Sequence, residues 1–258
     1  MPSTRPLKNS PATSAKRLLL SRLLALGICG FFLCTSLWAT PNSSPKAGSS
    51  RTPGPVFQTE TNPPQLNAQQ LAAQSHLLAR QWDAAGAAYR QHLAAHPHDE
   101  VVLLTLATIA ELQGQLSEAD YWRRRAQQAS PLSPPVQASL LGSEANFLHA
   151  PTVTESRLKG QLEKHPDAAP LHFALGNLKL AQNEWREAEA AFLAALAVDR
   201  KNPDYLFNLA ISLDHQRASR RAAESYQAAL EAAASRPSVF DPIQAQHRLR
   251  ALGLAEQP

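Results

Sequence analysis

The sequence predicts an all-α fold, a solenoid of stacked helix–turn–helix units. Three observations predict it: a 34-residue interval, prolines at the ends of predicted helices, and small residues at fixed positions of each interval. Two adjacent segments show the interval best. They carry Leu175-Gly176, Ala188, Phe192 and Ala195 in residues 169–202, then Leu209-Ala210, Ala222, Tyr226 and Ala229 in residues 203–236. Such a period is the signature of helical hairpins stacked on copies of themselves.

The same register extends back to residue 66. Five units tile residues 66–99, 100–133, 135–168, 169–202 and 203–236, with Pro134 skipped as one inserted residue. Pro97, Pro131 and Pro166 lie where the second helix of a unit must end, because proline lacks an N–H and disfavours helix in the residue before it. Since one hairpin alone has apolar stripes and no core, stacking is needed to bury them.

These residues resemble the tetratricopeptide repeat (TPR) family, whose pattern is a Leu-Gly pair in the first helix, a small residue and then an aromatic in the second, and a closing proline. The resemblance implies a TPR-type α-solenoid that binds other proteins. The stretch from Asn202 to Asp214 also resembles the last repeat of TPR proteins of type IV (mannose-sensitive haemagglutinin) pilus biogenesis.

Residues 237–258 are predicted to form a capping helix and a tail. Asp241 is suited to cap this helix and Pro242 to its first turn. An apolar stripe follows, formed by Ile243, Ala245, Leu249 and Leu252. A terminal helix covers the apolar side that the last repeat would otherwise expose to water.

The front of the chain predicts a membrane-targeted protein. Residues 1–17 are a basic leader, residues 18–39 are an N-terminal apolar helix, and residues 40–65 are a Pro/Ser-rich linker predicted to be disordered. The apolar segment is either a transmembrane anchor or a cleaved signal peptide. With the positive charges before it, either alternative places the repeats in the periplasm, anchored by a single pass in the bacterial inner membrane or released from it.

Charge argues against nucleic-acid binding by the repeats. The first 59 residues hold seven Lys and Arg and no acidic residue, and the rest of the chain has 18 basic and 21 acidic side chains. The basic balance therefore belongs to the N-terminal region, and the repeats themselves are slightly acidic.

No pattern in the sequence predicts catalysis or a small-molecule substrate. All ten glycines are isolated, so there is no phosphate-binding loop, and no hydrolase motif occurs. His92, His96 and His98 have metal-like spacing, but Pro97 interrupts them and no set of ligands completes the group, so neither a metal nor a cofactor is predicted. The run Arg123-Arg124-Arg125 is interpreted as a solvated helix face.

The resemblance implies a concave groove, lined by the first helices, that binds a protein or peptide. The predicted groove combines apolar anchors with hydrogen-bonding groups: Phe173, Asn177, Phe207, Asn208, Ile211, Asp214, Leu104 and Thr108. The alternative is that Phe173 and Phe207 pack in the core of the solenoid itself. Phe173 and Leu206-Phe207 stand near the positions where a clamp for a terminal carboxylate needs basic side chains, which disfavours such a clamp.

The sequence thus predicts a non-catalytic interaction scaffold, an adaptor in assembly of a type IV pilus or secretion system. The alternative is a substrate-presenting subunit of a periplasmic maturation complex, such as that of cytochrome c biogenesis. The two differ in partner, since the second binds unfolded chains.

Overall fold

The computed structural model describes residues 68–143 and 149–253, which form eleven helices and no strand. The helices are α1 Ala68–Leu78, α2 Trp82–Ala95, α3 Glu100–Leu112, α4 Leu116–Ala129, α5 Pro134–Leu141, α6 Pro151–Lys164, α7 Ala169–Ala181, α8 Trp185–Val198, α9 Pro203–His215, α10 Ser219–Ala233 and α11 Pro242–Ala251. The predicted leader, apolar helix and linker lie outside these ranges. Among the helices described, none has the length and hydropathy needed to cross a bilayer.

The helices pack as consecutive hairpins. Helices α1 and α2, α3 and α4, α5 and α6, α7 and α8, and α9 and α10 form the five pairs, and the pairs contact one another through α2 with α3, α4 with α5, and α8 with α9. Helix α11 packs against α10. This order gives the all-helical solenoid that the repeat pattern predicts.

The turns inside four of the five hairpins share one backbone conformation. Arg80, Gly114, Asn183 and Arg217 follow α1, α3, α7 and α9, and all four have positive φ angles between 56° and 74°. Arg80 and Gly114 are one repeat interval apart, and so are Asn183 and Arg217. Between Gly114 and Asn183 lie two intervals and the one extra residue of unit three. Only one of the four residues is glycine, so in the other three turns a residue with a side chain adopts a backbone conformation that such residues rarely take.

Small residues lie where two helices of a hairpin cross. Ala85, Ala119, Ala188 and Ala222 share one position of the repeat and are fully buried. Gly176 has the same role in α7, because a Cβ atom there would lie 2.6 Å from Cδ1 of Phe192. The unit-three counterpart, Thr154, is also buried.

The third unit absorbs the extra residue later than the sequence predicts. Helix α5 begins at Pro134, which the spacing analysis had skipped, and Ser133 before it has the extended backbone of a helix-capping residue. From Pro134 to Pro151 the two helix starts are one residue further apart than from Glu100 to Leu116. The additional residue therefore falls between the starts of α5 and α6. Helix α5 has 8 residues, against 13 in α3.

Candidate partner-binding face

The first helices of all five units meet around one short stretch of chain, Arg236–Phe240, which we call the C-terminal segment. It links α10 to α11. Val239 belongs to one apolar cluster with Ala138 of α5 and Leu171 of α7. Residues Pro237–Val239 line a cavity of about 40 Å³ together with residues of α1, α3 and α9, among them Leu77, Thr108 and Asp204. These helices present one common surface to the segment, and we call that surface the inner face.

A buried carboxylate holds the main chain of the segment. Asp204, in the first turn of α9, accepts the N–H of Val239 at 2.9 Å and the N–H of Phe240 at 3.1 Å through Oδ1. Burial raises the pKa of Asp204 to about 6, against the opposing effect of those two N–H groups and of Arg80 and Arg236. The side chain binds backbone atoms, so it recognises the backbone conformation of the segment more than particular side chains.

Two arginines fix the ends of the segment. Arg80, in the turn after α1, donates from Nη1 to the carbonyl oxygen of Phe240 at 2.9 Å, across 160 residues of sequence. Arg236 donates from Nη1 and Nη2 to the two oxygens of Asp199, both at 2.8 Å. Burial alone would raise the pKa of Asp199, but the paired bonds from Arg236 lower it overall.

The aromatic ring of the segment fills a closed space on α9. Phe240 is fully buried and stacks on Phe207, with ring centroids 4.5 Å apart and planes 11° apart. Phe207 in turn meets Tyr226 of α10 edge to face, with centroids 5.7 Å apart. Stacking of this kind adds to the burial of apolar area, so Phe240 is a principal anchor of the segment.

Phe173 and Phe207 are core residues, as the alternative interpretation of the sequence had it. They are 0% and 3% exposed. Phe173 contacts Tyr205 of the next unit, with ring centroids 4.7 Å apart, and Phe192 of its own unit at 5.8 Å. Neither ring is exposed in the structure: Phe173 packs against Phe192 and Tyr205, and Phe207 is covered by Phe240 of the segment.

Most polar side chains of the predicted groove form hydrogen bonds with other side chains of the same chain. Asn208 donates from Nδ2 to Oδ1 of Asn177 at 3.0 Å, and both are buried between α7 and α9. Asp214 accepts two bonds from Arg248 of α11, both at 2.8 Å, so it holds the terminal helix.

The remaining groove residues differ in exposure. Leu104 is buried in the core of the first two units, and the Thr108 hydroxyl donates to its carbonyl oxygen at 3.0 Å. Thr108 also lines the cavity beside the segment. Ile211 is half-buried and packs at the edge of the core around Phe207. Of the eight predicted residues, Ile211 and Asp214 alone are partly exposed, and Asp214 is already paired with Arg248.

The histidine and arginine clusters have structural partners. His92 lies 2.9 Å from Asp99, the residue that caps α3, and residues 68–143 and 149–253 contain no group of three His, Cys, Asp or Glu able to hold a metal. Arg123 points inward to Glu111 and Asp120, and Arg125 lies over the Trp122 ring. The arginine run is thus not a uniformly solvated face, because its first member is buried.

The predicted site residues do not include the segment or the side chains that hold it. Missing from the prediction are the holding residues Arg80, Asp204 and Arg236, and the held residues Val239 and Phe240. The available signal was the apolar pair Val239-Phe240 between two prolines, which was taken only as the approach to the capping helix.

Five stacked helical hairpins with small residues at their crossings define an α-solenoid, the class of protein that binds others through the surfaces its repeats create. The family model of the tetratricopeptide repeat matches residues 173–237. Residues 173–237 therefore match the tetratricopeptide repeat, which confirms the resemblance predicted from the sequence for this part of the chain.

One of the solved structures to which the chain is similar supports this fold. TTC0263, a thermophilic TPR protein of Thermus thermophilus, is 23% identical, with a TM-score of 0.56 over 72% of this chain and 97% of that one. PilW, a type IV pilus biogenesis factor, is 17% identical, with a TM-score of 0.47 over 73% of this chain and 86% of that one. MamA is 16% identical, with a TM-score of 0.36 over 64% and 89%. No curated protein matches the chain. At these identities the likeness concerns the fold alone.

Proposed function

We propose that the protein is a non-catalytic adaptor that binds another protein on its inner face. TPR proteins are generally scaffolds of this kind, and their repeats bind protein or peptide partners. The observation that carries the proposal is the C-terminal segment: the side chains of Arg80, Asp204 and Phe207, from units one and five, already hold a non-helical stretch of backbone there. A surface that binds one such segment has the chemistry to bind another.

We further propose that this adaptor works in the bacterial periplasm, in assembly of a type IV pilus or secretion system. The order of basic leader, apolar segment and Pro/Ser-rich linker supports the location. The likeness of residues 202–214 to repeats of pilus-biogenesis proteins supports the proposed role in assembly of a type IV pilus or secretion system.

Site-specific photocrosslinking tests the proposal without truncating a buried side chain. Alanine at Phe207 or Asn208 is unsuitable, because both are buried and the change would destabilise the domain. A photoreactive amino acid at Ile211, on the inner face, is compared with one at Leu193, which is exposed on the second helix of unit four.

The expected result is that Ile211 crosslinks to a pilus or secretion component in intact cells, and Leu193 does not. Identical products at both positions contradict an inner-face site. Crosslinks only to unfolded exported chains favour the maturation-complex alternative, and crosslinks only to cytosolic proteins contradict the periplasmic location.

A further inference from the structure

The C-terminal segment makes the contacts of a bound peptide although it is part of the chain. Its main chain is held by Asp204 and Arg80, and its Phe240 ring is enclosed beside Phe207. We infer that the segment is a built-in ligand. The partner is a non-helical peptide segment carrying a β-branched residue followed by an aromatic one, and it binds the inner face by displacing residues 236–240. This inference rests on the proposed function and specifies its partner and its control.

The main-chain contacts set the conformation of the partner. Asp204 requires two successive N–H groups on one side, and Arg80 requires the carbonyl of the second of those residues. A helical peptide cannot meet these requirements in its interior, because its N–H groups bond to its own carbonyls. The partner is therefore not helical at these residues, and it has no proline at either of the two positions.

The side-chain contacts set its sequence. The position of Phe240 is closed on all sides and presents the face of Phe207 to a second ring, which selects an aromatic residue. The position of Val239 lies among aliphatic side chains of units three and four, which selects a branched aliphatic one. Charged residues at either place would be buried without a partner.

The fit of the segment is incomplete on one side. The cavity of about 40 Å³ beside Val239 is lined largely by apolar groups, including Leu77, Trp82 and Ile109. It is large enough for an added methyl group, so a peptide with isoleucine in place of Val239 fills space that the built-in ligand leaves empty. A foreign peptide can thus bind better than the segment does, apart from the advantage of its covalent connection.

That connection makes the segment an inhibitor. A tethered ligand acts at an effective concentration on the order of millimolar, and the apparent affinity of a competitor falls by the fraction of sites left open. Weakening the segment should open the site. Arg236 is the suitable point, since its contact with Asp199 is partly solvent-exposed and its removal leaves no core cavity.

The test measures binding of a fluorescent peptide with the sequence of Arg236–Pro242 to the full-length chain in detergent. The proteins are the wild type, Phe240→Ala and Arg236→Ala, with helical content checked by circular dichroism. We expect about tenfold or tighter binding to Phe240→Ala than to the wild type, and a smaller gain for Arg236→Ala. A peptide with Val239→Ile should bind more tightly, and a peptide with Phe240→Ala should not bind.

Equal affinity for all three proteins overturns the inference, as does no binding to any of them. If Phe240→Ala loses its helical content, Arg236→Ala decides alone. Failure here is distinct from failure of the proposed function, because crosslinking from Ile211 to an envelope partner does not depend on this peptide.

Discussion

Gly176 shows how a single atom limits the approach of two helices. Its position in α7 lies against the ring of Phe192, which is fully buried and has no free space to move into. We predict that Gly176→Ala lowers the free energy of unfolding by about 1–3 kcal/mol, because the added Cβ overpacks the core. The measurement is urea-induced unfolding followed by circular dichroism.

Gly160 is the matched control for this change. It lies within α6, and a Cβ there meets nothing within 4 Å. Gly160→Ala should therefore raise the free energy of unfolding by up to about 1 kcal/mol, from helix propensity alone. Similar effects of the two substitutions would contradict the close crossing of α7 and α8.

Asp204 predicts a pH dependence with a definite sign. Burial raises its pKa to about 6 in the folded protein, against an ordinary 3.8 when unfolded, so the folded state binds a proton more tightly. The stability that this proton contributes is complete below pH 4 and is lost as the pH rises through 6.

Asp204→Asn removes the titration and keeps an oxygen that accepts the two N–H bonds. We expect the free energy of unfolding of the wild type, relative to this variant, to fall by roughly 2–3 kcal/mol between pH 4 and pH 7. Other groups titrate equally in both proteins and cancel in the difference. A difference independent of pH would show that Asp204 is not buried in the folded state.

Among the elements, α9 depends on the residue that caps it. The Asn202 side chain accepts the N–H groups of Asp204 and Tyr205, and this first turn positions the Asp204 carboxylate. Asn202→Ala should lower the free energy of unfolding by about 1–2 kcal/mol, whereas Asn202→Ser, which keeps an acceptor, should cost less. Thermal unfolding of the two variants distinguishes a cap from a general loss of packing, which would affect both alike.

Helix boundaries illustrate what sequence spacing can and cannot locate. The predicted first-helix starts at residues 100, 169 and 203 coincide with the starts of α3, α7 and α9. In unit three the spacing showed that one residue is extra but placed it at Pro134. Proline is well suited to the first turn of a helix, so Pro134 begins α5 and the extra residue falls further on.

For the whole molecule, the repeat pattern predicted the stack but not its closure. Small residues and aromatics at fixed intervals determine how each hairpin meets the next, and these contacts are local. The contact of Arg80 with Phe240 spans 160 residues and depends on small rotations accumulated over five units. No periodic signal marks such a contact, which explains why Phe207, which Phe240 covers, was predicted to line an open groove.

The segment also changes how the solenoid holds together. In a simple stack each repeat contacts only its neighbours, whereas here Arg80 of unit one is bonded to the residue that packs on unit five. The two ends of the repeat array are thereby linked through residues 236–240, and the inner face is closed when the segment is in place.

Cysteine labelling measures that closure most directly. The labelling uses a chain in which serine replaces Cys29 and Cys34, and it compares Val239→Cys with Ile243→Cys. The two positions are only four apart in the sequence, but their native side chains are 7% and 73% exposed. We predict that a maleimide modifies the cysteine at 243 at least about tenfold faster than the one at 239 under native conditions, and at the same rate in urea. Equal rates in the native protein would show that the segment does not occupy the inner face.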